Sequence, residues 1–319
     1  MPRSLFMQWL FTLALSSAQL QAAPTQHLPA DWYPESLTAS RDGDLYVGSW
    51  HQGAIARLPA GGEPAELLVP SGQLGLRNTQ GLLVDDAHDA LWACSADFGY
   101  STAPSSPSAL KRYALHSGQP VASYPLPAQG ICNDLVLDTH GRILISDSGQ
   151  PRILALEPGA SALSVWLEDP ALATDRQQGL TLNGLVLDGP TLYVSKVAAV
   201  PYLLAISLDA AGSPQAVRQL PLPRVLKNAD ALRRLGPQQI VIFESDTFGA
   251  SGSEGGQITL LDLRAPTPRL TVLANGLDSP SSGAISQGRL YWIESGFRQL
   301  FQHAPSGQAF TVQSLALPR

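Results

Sequence analysis

Asp44-Leu45-Tyr46-Val47-Gly48-Ser49 is a turn residue followed by a short run of apolar and aromatic side chains, and the phrase returns five times. Its other copies are Leu91-Trp92-Ala93-Cys94-Ser95, Ile143-Leu144-Ile145-Ser146-Asp147, Leu192-Tyr193-Val194-Ser195-Lys196, Ile240-Val241-Ile242-Phe243-Glu244 and Leu290-Tyr291-Trp292-Ile293-Glu294. The spacing is roughly 40 to 50 residues, that of propeller blades. Most copies follow a Gly-containing turn (Asp42-Gly43, His140-Gly141, Asp188-Gly189-Pro190, Gly236-Pro237, Gln287-Gly288), and ahead of the turn lies another apolar segment such as Leu135-Val136-Leu137. Two β-rich runs joined in this way read as a hairpin. A third run follows each phrase, as at residues 54–58, 152–156 and 258–262, and then a weaker fourth, as at 163–167. Each unit is therefore four antiparallel strands. Six regularly spaced units, with no sustained 3.6-residue period among them, predict an all-β chain that closes radially: a six-bladed β-propeller with four-stranded antiparallel blades, in preference to a sandwich or an open solenoid.

The chain has 319 residues, a length that closed all-β folds reach as one domain. Only 14% of residues are charged, against 28 Gly and 26 Pro, a balance that favours short strands and turns over long surface helices. With a net charge of −6 and no Lys/Arg cluster, the chain lacks the basic face that phosphate neutralisation requires, so nucleic acid is excluded as a partner. Arg3, an apolar stretch from Leu5 to Leu15 and the small residues Ser16-Ser17-Ala18 and Ala22-Ala23 have the pattern of a signal peptide over residues 1–23. The stretch is shorter than the roughly 20 apolar residues that span a bilayer, although an uncleaved anchor is the alternative. The expected product is an exported, periplasmic or secreted propeller over residues 24–319, with no stable membrane insertion after cleavage. Its oligomeric state is open. Cys94 and Cys132 either form one disulfide in an oxidising compartment or stay as two buried thiols; the sequence leaves both open.

Aligning the units on their first strands exposes one polar register, two residues before the first apolar side chain. It holds Glu35, Gln80, Asn133, Asn183, Asp230 and Ser281. In a propeller the innermost strands line the central channel, so these side chains are expected to ring one mouth. Two carboxylates and three carboxamides supply oxygen donors suited to a hard divalent cation: Ca²⁺ first, with Mg²⁺, Mn²⁺ or Zn²⁺ as alternatives. No His or Cys joins the ring, which disfavours a zinc site of the N/S type. Two close carboxylates repel each other and raise one pKa unless a cation lies between them. The competing reading is that these residues cap strand starts and hydrogen-bond channel water.

Pro34-Glu35, Asn133-Asp134, Asn183-Gly184 and Asp230, in register on four units, resemble the regucalcin/gluconolactonase family of six-bladed propellers, whose relatives include the paraoxonases and strictosidine-synthase-like proteins. The resemblance runs from about Trp32 to the C-terminus. It implies one divalent cation held by Glu35, Asn183 and Asp230, with Asn133 contacting substrate. The chain departs from the family where Ser36-Leu37 follows the Glu, where Ile131 replaces an Arg that grips sugar-acid hydroxyls in some members, and where Ala229-Asp230-Ala231 replaces Pro-Asp-Gly. The ligand positions survive these departures while the sugar-specific features do not, so gluconolactone itself is not the expected substrate.

The loops after the second strands open on the same face as the ring and carry Trp50, His51, Asp97, Phe98, Tyr100, Asp147, Lys196, Glu244, Asp246, Phe248, Glu294 and Phe297. Among them Lys196 is a candidate to bind a carboxylate or carbonyl oxygen, or else it pairs with Asp147 or Glu244. His51 is a candidate proton shuttle or a plain loop histidine. Gln80 and Ser281 complete the expected small-molecule subsite. There is no Gly-x-Ser-x-Gly elbow, phosphate loop or His-Glu-x-x-His. The oxygen-rich ring and the resemblance together point to a metal-dependent hydrolase of a lactone or related ester, with Asp230 a ligand by resemblance and Asp230 or a nearby carboxylate as general base. The alternatives are a non-catalytic exported propeller that binds a ligand or protein, and a metal-free propeller catalyst of the strictosidine-synthase or streptogramin-lyase kind.

Overall fold

The repeated phrase forms the second strand of every blade: Leu45–Ser49, Ala90–Ala96, Ile143–Asp147, Thr191–Lys196, Gln239–Glu244 and Arg289–Ile293. Successive side chains on a strand point to opposite faces, and in this protein both faces are covered. Within Ile143–Asp147, Ile143 and Ile145 pack with Trp92 and Leu110 of the preceding blade, while Leu144 packs with Leu182 and Leu192 of the next. A strand buried on both sides reads as an unbroken apolar run, which is why these phrases stand out from the rest of the chain.

In this computed structural model, residues 26–173, 179–246, 255–302 and 307–317 are described. The expected signal peptide at 1–23 lies outside these residues, as does Phe248. There are six four-stranded antiparallel sheets. Five are built from consecutive strands. The sixth takes its outermost strand, Gln26–His27, from the start of the described chain and pairs it with Thr311–Ala316 near the end. The C-terminal segment thus supplies the third strand of the last blade. The inner strands Pro34–Ala39, Asn78–Asp85, Cys132–Leu137, Leu182–Asp188, Ala229–Gly236 and Gly283–Ser286 touch in cyclic order, the sixth returning to the first. Among the described residues the only α-helix is α1 (Phe297–Phe301), and no helix is long and apolar enough to cross a membrane.

Six apolar clusters each fill the gap between two neighbouring blades. Burial between blades therefore holds the ring together, and among the described residues there is no separate central apolar cluster. Cys94 and Cys132 are joined as a disulfide with Cα atoms 5.1 Å apart, linking the second blade to the inner strand of the third. At the C-terminal end of the second strand of blade five, the fully buried Glu244 takes Arg224 Nη1 at 2.9 Å, the Lys227 N–H at 2.6 Å and Gln257 Nε2 at 2.9 Å.

Two expectations follow. Replacing both cysteines by Ala releases a 38-residue sequence separation and is expected to lower the unfolding free energy in urea by about 2–4 kcal/mol. Burial alone raises the pKa of Glu244, but the hydrogen bonds from Arg224, Thr259, Lys227 and Gln257 outweigh it and hold the carboxyl below its ordinary value of 4.5. A depressed folded-state pKa contributes stability above the unfolded value and loses it as pH falls through the folded one. Glu244→Gln is therefore expected to be less stable than the parent by about 1.5–3 kcal/mol at pH 7. Melting curves of the two proteins should converge as the pH falls below the carboxylate range.

Candidate functional site at the channel mouth

In five of the six inner strands the ladder slips at the ring position. Cys132 pairs with Asp147 and Leu135 with Ile145, so Asn133 and Asp134 together oppose Ser146. The same slip brackets Gln80-Gly81, Asn183-Gly184 and Asp230-Ala231, and a one-residue slip frees Glu35. A bulge takes a residue out of the ladder and re-aims its side chain. Here it turns a polar side chain to the axis, while the leucine two residues on (Leu37, Leu82, Leu135, Leu185, Leu232) stays buried in the apolar packing. The strands converge so closely that a Cβ on Gly81 would lie 2.7 Å from Asn133 O, and one on Gly184 would lie 2.8 Å from Ala231 Cα. The glycine of Asn183-Gly184 is thus a requirement of close approach.

Two cavities meet at the ring. Below it is a space of about 10 Å³, lined mainly by Glu35, Asn133, Asp134, Asn183, Asp230, Arg233 and Ser281; this is room for one water-sized occupant. Above it opens a cavity of about 730 Å³, within the usual range of ligand pockets. Glu35, Asn133, Asn183 and Asp230 line both, so these four side chains form the partition between floor and mouth.

Hydrogen bonds hold the partition in place. Asn183 Nδ2 donates to Asp230 Oδ1 at 2.7 Å, which leaves the carbonyl oxygen as the Asn183 atom left for ligation. With its nitrogen turned toward Glu35, the Gln80 amide donates to Glu35 Oε1 at 3.3 Å and accepts from Trp50 Nε1. Ser281 Oγ donates to the Glu35 carbonyl at 2.8 Å. Beneath them Arg233 reaches across the axis. Its Nη1 lies 3.1 Å from Asp134 Oδ2, its Nη2 donates to Ser282 Oγ at 2.9 Å and its Nε to Gly283 O at 2.9 Å.

The electrostatics are unbalanced. Among the described lining residues of both cavities, Arg233 is the sole basic side chain against the carboxylates of Glu35, Asp134 and Asp230. Burial, then repulsion from Asp230 and Asp134, pushes Glu35 well above the usual carboxylate range despite Arg233. Burial likewise raises Asp230 to about 7, although hydrogen bonds from Ser245 and Asn183 pull it down. Glu35 Oε2 and Asp134 Oδ1 are buried and accept no hydrogen bond. A hard cation suits such a set: excess negative charge, orphaned carboxylate oxygens and a single small space. Among the described residues no three His, Cys, Asp or Glu side chains converge to hold a metal by themselves. A shell here must draw on the carboxamide oxygens of Asn183 and Asn133.

The sequence-based candidates divide clearly. Glu35, Gln80, Asn133, Asn183, Asp230 and Ser281 come together at the axis, Gln80 facing only the mouth and Ser281 only the floor. Lys196 does not face either cavity. It is buried, and its Nζ donates to Thr181 O at 3.0 Å and Val197 O at 3.3 Å. His51 is also absent from the walls; its Nδ1 lies 2.7 Å from Tyr100 O, tying down the loop that carries Tyr100. Asp147 and Glu244 are buried in ion pairs with Arg152 and Arg224 and do not reach the mouth. The sequence reading missed Arg233 and gave Asp134 no role. Arg233 was legible, since three residues after the ring position the other units carry Thr38, Leu83, Val136, Val186 and Ala284. Also missed were the polar wall of Gln129, Gln150 and Asn228 and the wall position of Phe301.

No protein-family profile matches the chain, and no curated protein matches it. Solved structures match over most of their length. A gluconolactonase from Xanthomonas campestris is 16% identical with a TM-score of 0.58, over 91% of this chain and 89% of that one. A structural-genomics target provisionally named a gluconolactonase is 15% identical with a TM-score of 0.60, over 93% and 95%. A streptogramin B lyase is 12% identical with a TM-score of 0.57, over 92% and 97%. At these identities the likeness is one of fold alone.

Removing the guanidinium is expected to leave the Asp134 carboxyl group in the floor without its counter-charge. Arg233→Met should therefore lower stability by about 3–5 kcal/mol. Adding Asp134→Asn should recover part of that loss, a non-additivity readable in a double-mutant cycle by urea unfolding.

Proposed function

We propose that this protein is a metal-dependent hydrolase that opens a lactone or a related ester at the channel mouth. One observation carries the reading: Glu35, Asn133, Asn183 and Asp230 separate an ion-sized floor from a substrate-sized mouth, so the same side chains reach both. A divalent cation, Ca²⁺ by donor type, would be held by Glu35, Asn183 and Asp230 and would supply Lewis acidity toward the substrate carbonyl and a bound water.

The chain's own residues do the rest. Asn133 presents a carboxamide to the acyl group from the mouth side of the partition. Gln80 fixes the Glu35 carboxylate against Trp50. Asp230 is the candidate proton carrier. As the water oxygen bonds to the acyl carbon, Asp230 takes the water proton; as the ring C–O bond breaks, it returns the proton to the departing alkoxide. The product is the hydroxy acid, and no other reactant is needed. The buried Cys94–Cys132 disulfide supports an oxidising, exported setting. Two gluconolactonase-named neighbours support lactone chemistry in kind, while Ile131 in the wall of the mouth argues against a sugar-acid grip.

The test is metal analysis of the purified protein, followed by turnover of a lactone and arylester panel with and without chelator. A bound divalent cation is expected, with activity lost on chelation and restored by Ca²⁺. Asp230→Ala should lose cation and turnover together, by at least about a hundredfold. Full turnover by a metal-stripped Asp230→Ala protein would contradict the proposal. Ligand binding without any turnover would overturn it in favour of a non-catalytic propeller.

A further inference from the structure

The mouth is two-sided. One wall is aromatic, made of Trp50, Phe98, Tyr100, Phe297 and Phe301; the facing residues include the carboxamides of Gln129, Gln150 and Asn228. Trp50 is the hub of the aromatic side. It stacks on Phe98 at 5.4 Å and Tyr100 at 5.6 Å between ring centres, and meets Phe297 and Phe301 edge-on at 5.2 and 5.8 Å. Phe297 and Phe301 lie one turn apart on α1 with nearly parallel rings, 8° between planes, and Tyr100 approaches Phe301 at 5.0 Å.

This wall is braced before any ligand arrives. Asn78 ties its two loops together, donating to Trp50 O at 2.7 Å and accepting from the Phe98 N–H at 2.8 Å. Arg77 Nε sits 2.8 Å from Asp97 as an ion pair, and His51 holds the Tyr100 carbonyl. Rings fixed in this way lose little freedom on binding, so apolar contact against them converts efficiently into affinity. At the lip Phe301 remains 36% exposed, apolar surface that an apolar occupant would remove from water.

Charge narrows the occupant further. No described residue lining the mouth cavity is basic, and the carboxylates of Glu35 and Asp230 form its base. Away from a cation at the ring, an anionic ligand would meet no basic side chain among these lining residues. A polyhydroxylated one could pair hydroxyls on the carboxamide side but would leave those set against the five aromatic rings unpaired.

We propose that the mouth selects uncharged esters or lactones bearing an aryl or branched apolar group, which packs on the aromatic wall while the carbonyl faces the ring. The placement of the carbonyl rests on the hydrolase reading above; the apolar subsite does not. The test therefore uses lactams, which resist hydrolysis, and reads binding by calorimetry. The probes are 5-phenyl-2-pyrrolidinone, plain 2-pyrrolidinone and glucono-δ-lactam. The phenyl lactam is expected to bind at least tenfold more tightly than the plain ring, and the sugar lactam most weakly. Phe301→Ala and Tyr100→Ala should each weaken the phenyl lactam by about 3- to 15-fold while leaving the plain lactam unchanged. Phe301→Leu should restore most of the loss. Equal affinity for phenyl and plain lactams, tighter binding of the sugar lactam, or no binding of the phenyl lactam would overturn the proposal. Phenyl-lactam binding that responds to these variants, in a protein that turns over no ester, would support the subsite while the hydrolase reading fails.

Discussion

Six strands must meet around one axis, and that convergence governs the rest of the molecule. Between blades, the second strands are sealed in apolar packing on both faces. At the axis the geometry reverses: backbones approach closely enough to exclude a Cβ at Gly81 and Gly184, and a bulge in each of five strands turns a polar residue inward. The scaffold thus positions a polar cluster on strands and not on loops, as a preorganised site requires.

Polar convergence brings an electrostatic problem with it. Glu35, Asp134 and Asp230 share a confined space with one guanidinium. Arg233 answers part of it by crossing from the fifth blade to Asp134 on the third, a pair 99 residues apart in sequence. Buried like charges demand protonation or a counter-ion, and the orphaned oxygens of Glu35 and Asp134 leave donors for one. In this account the floor is tuned by Arg233 and completed by a cation, and the mouth above it is tuned by aromatic rings.

The periodic features of this structure could be read from sequence. The blades were legible because a doubly buried strand leaves an unbroken apolar signature, and the ring because one polar residue recurs at a fixed offset from it. What depended on packing between distant segments was not. Lys196 ends a second strand and His51 lies in a turn, both where sequence suggests a place at the mouth, but Lys196 turns to the carbonyls of Thr181 and Val197, and His51 to that of Tyr100. The aromatic wall draws on the loops holding Trp50, Phe98 and Tyr100 and on a single helical turn, too short to show a period. The Cys94–Cys132 bond needed the juxtaposition of two blades.

The central claim is that the excess negative charge at the axis is balanced by one cation on Glu35, Asn183 and Asp230. Anomalous diffraction from crystals grown with Mn²⁺ tests it most directly. The account predicts one anomalous peak on the propeller axis, within coordination distance of all three side chains. A ring that holds only ordered water beside Glu35 and Asp230, with no anomalous density, would contradict it.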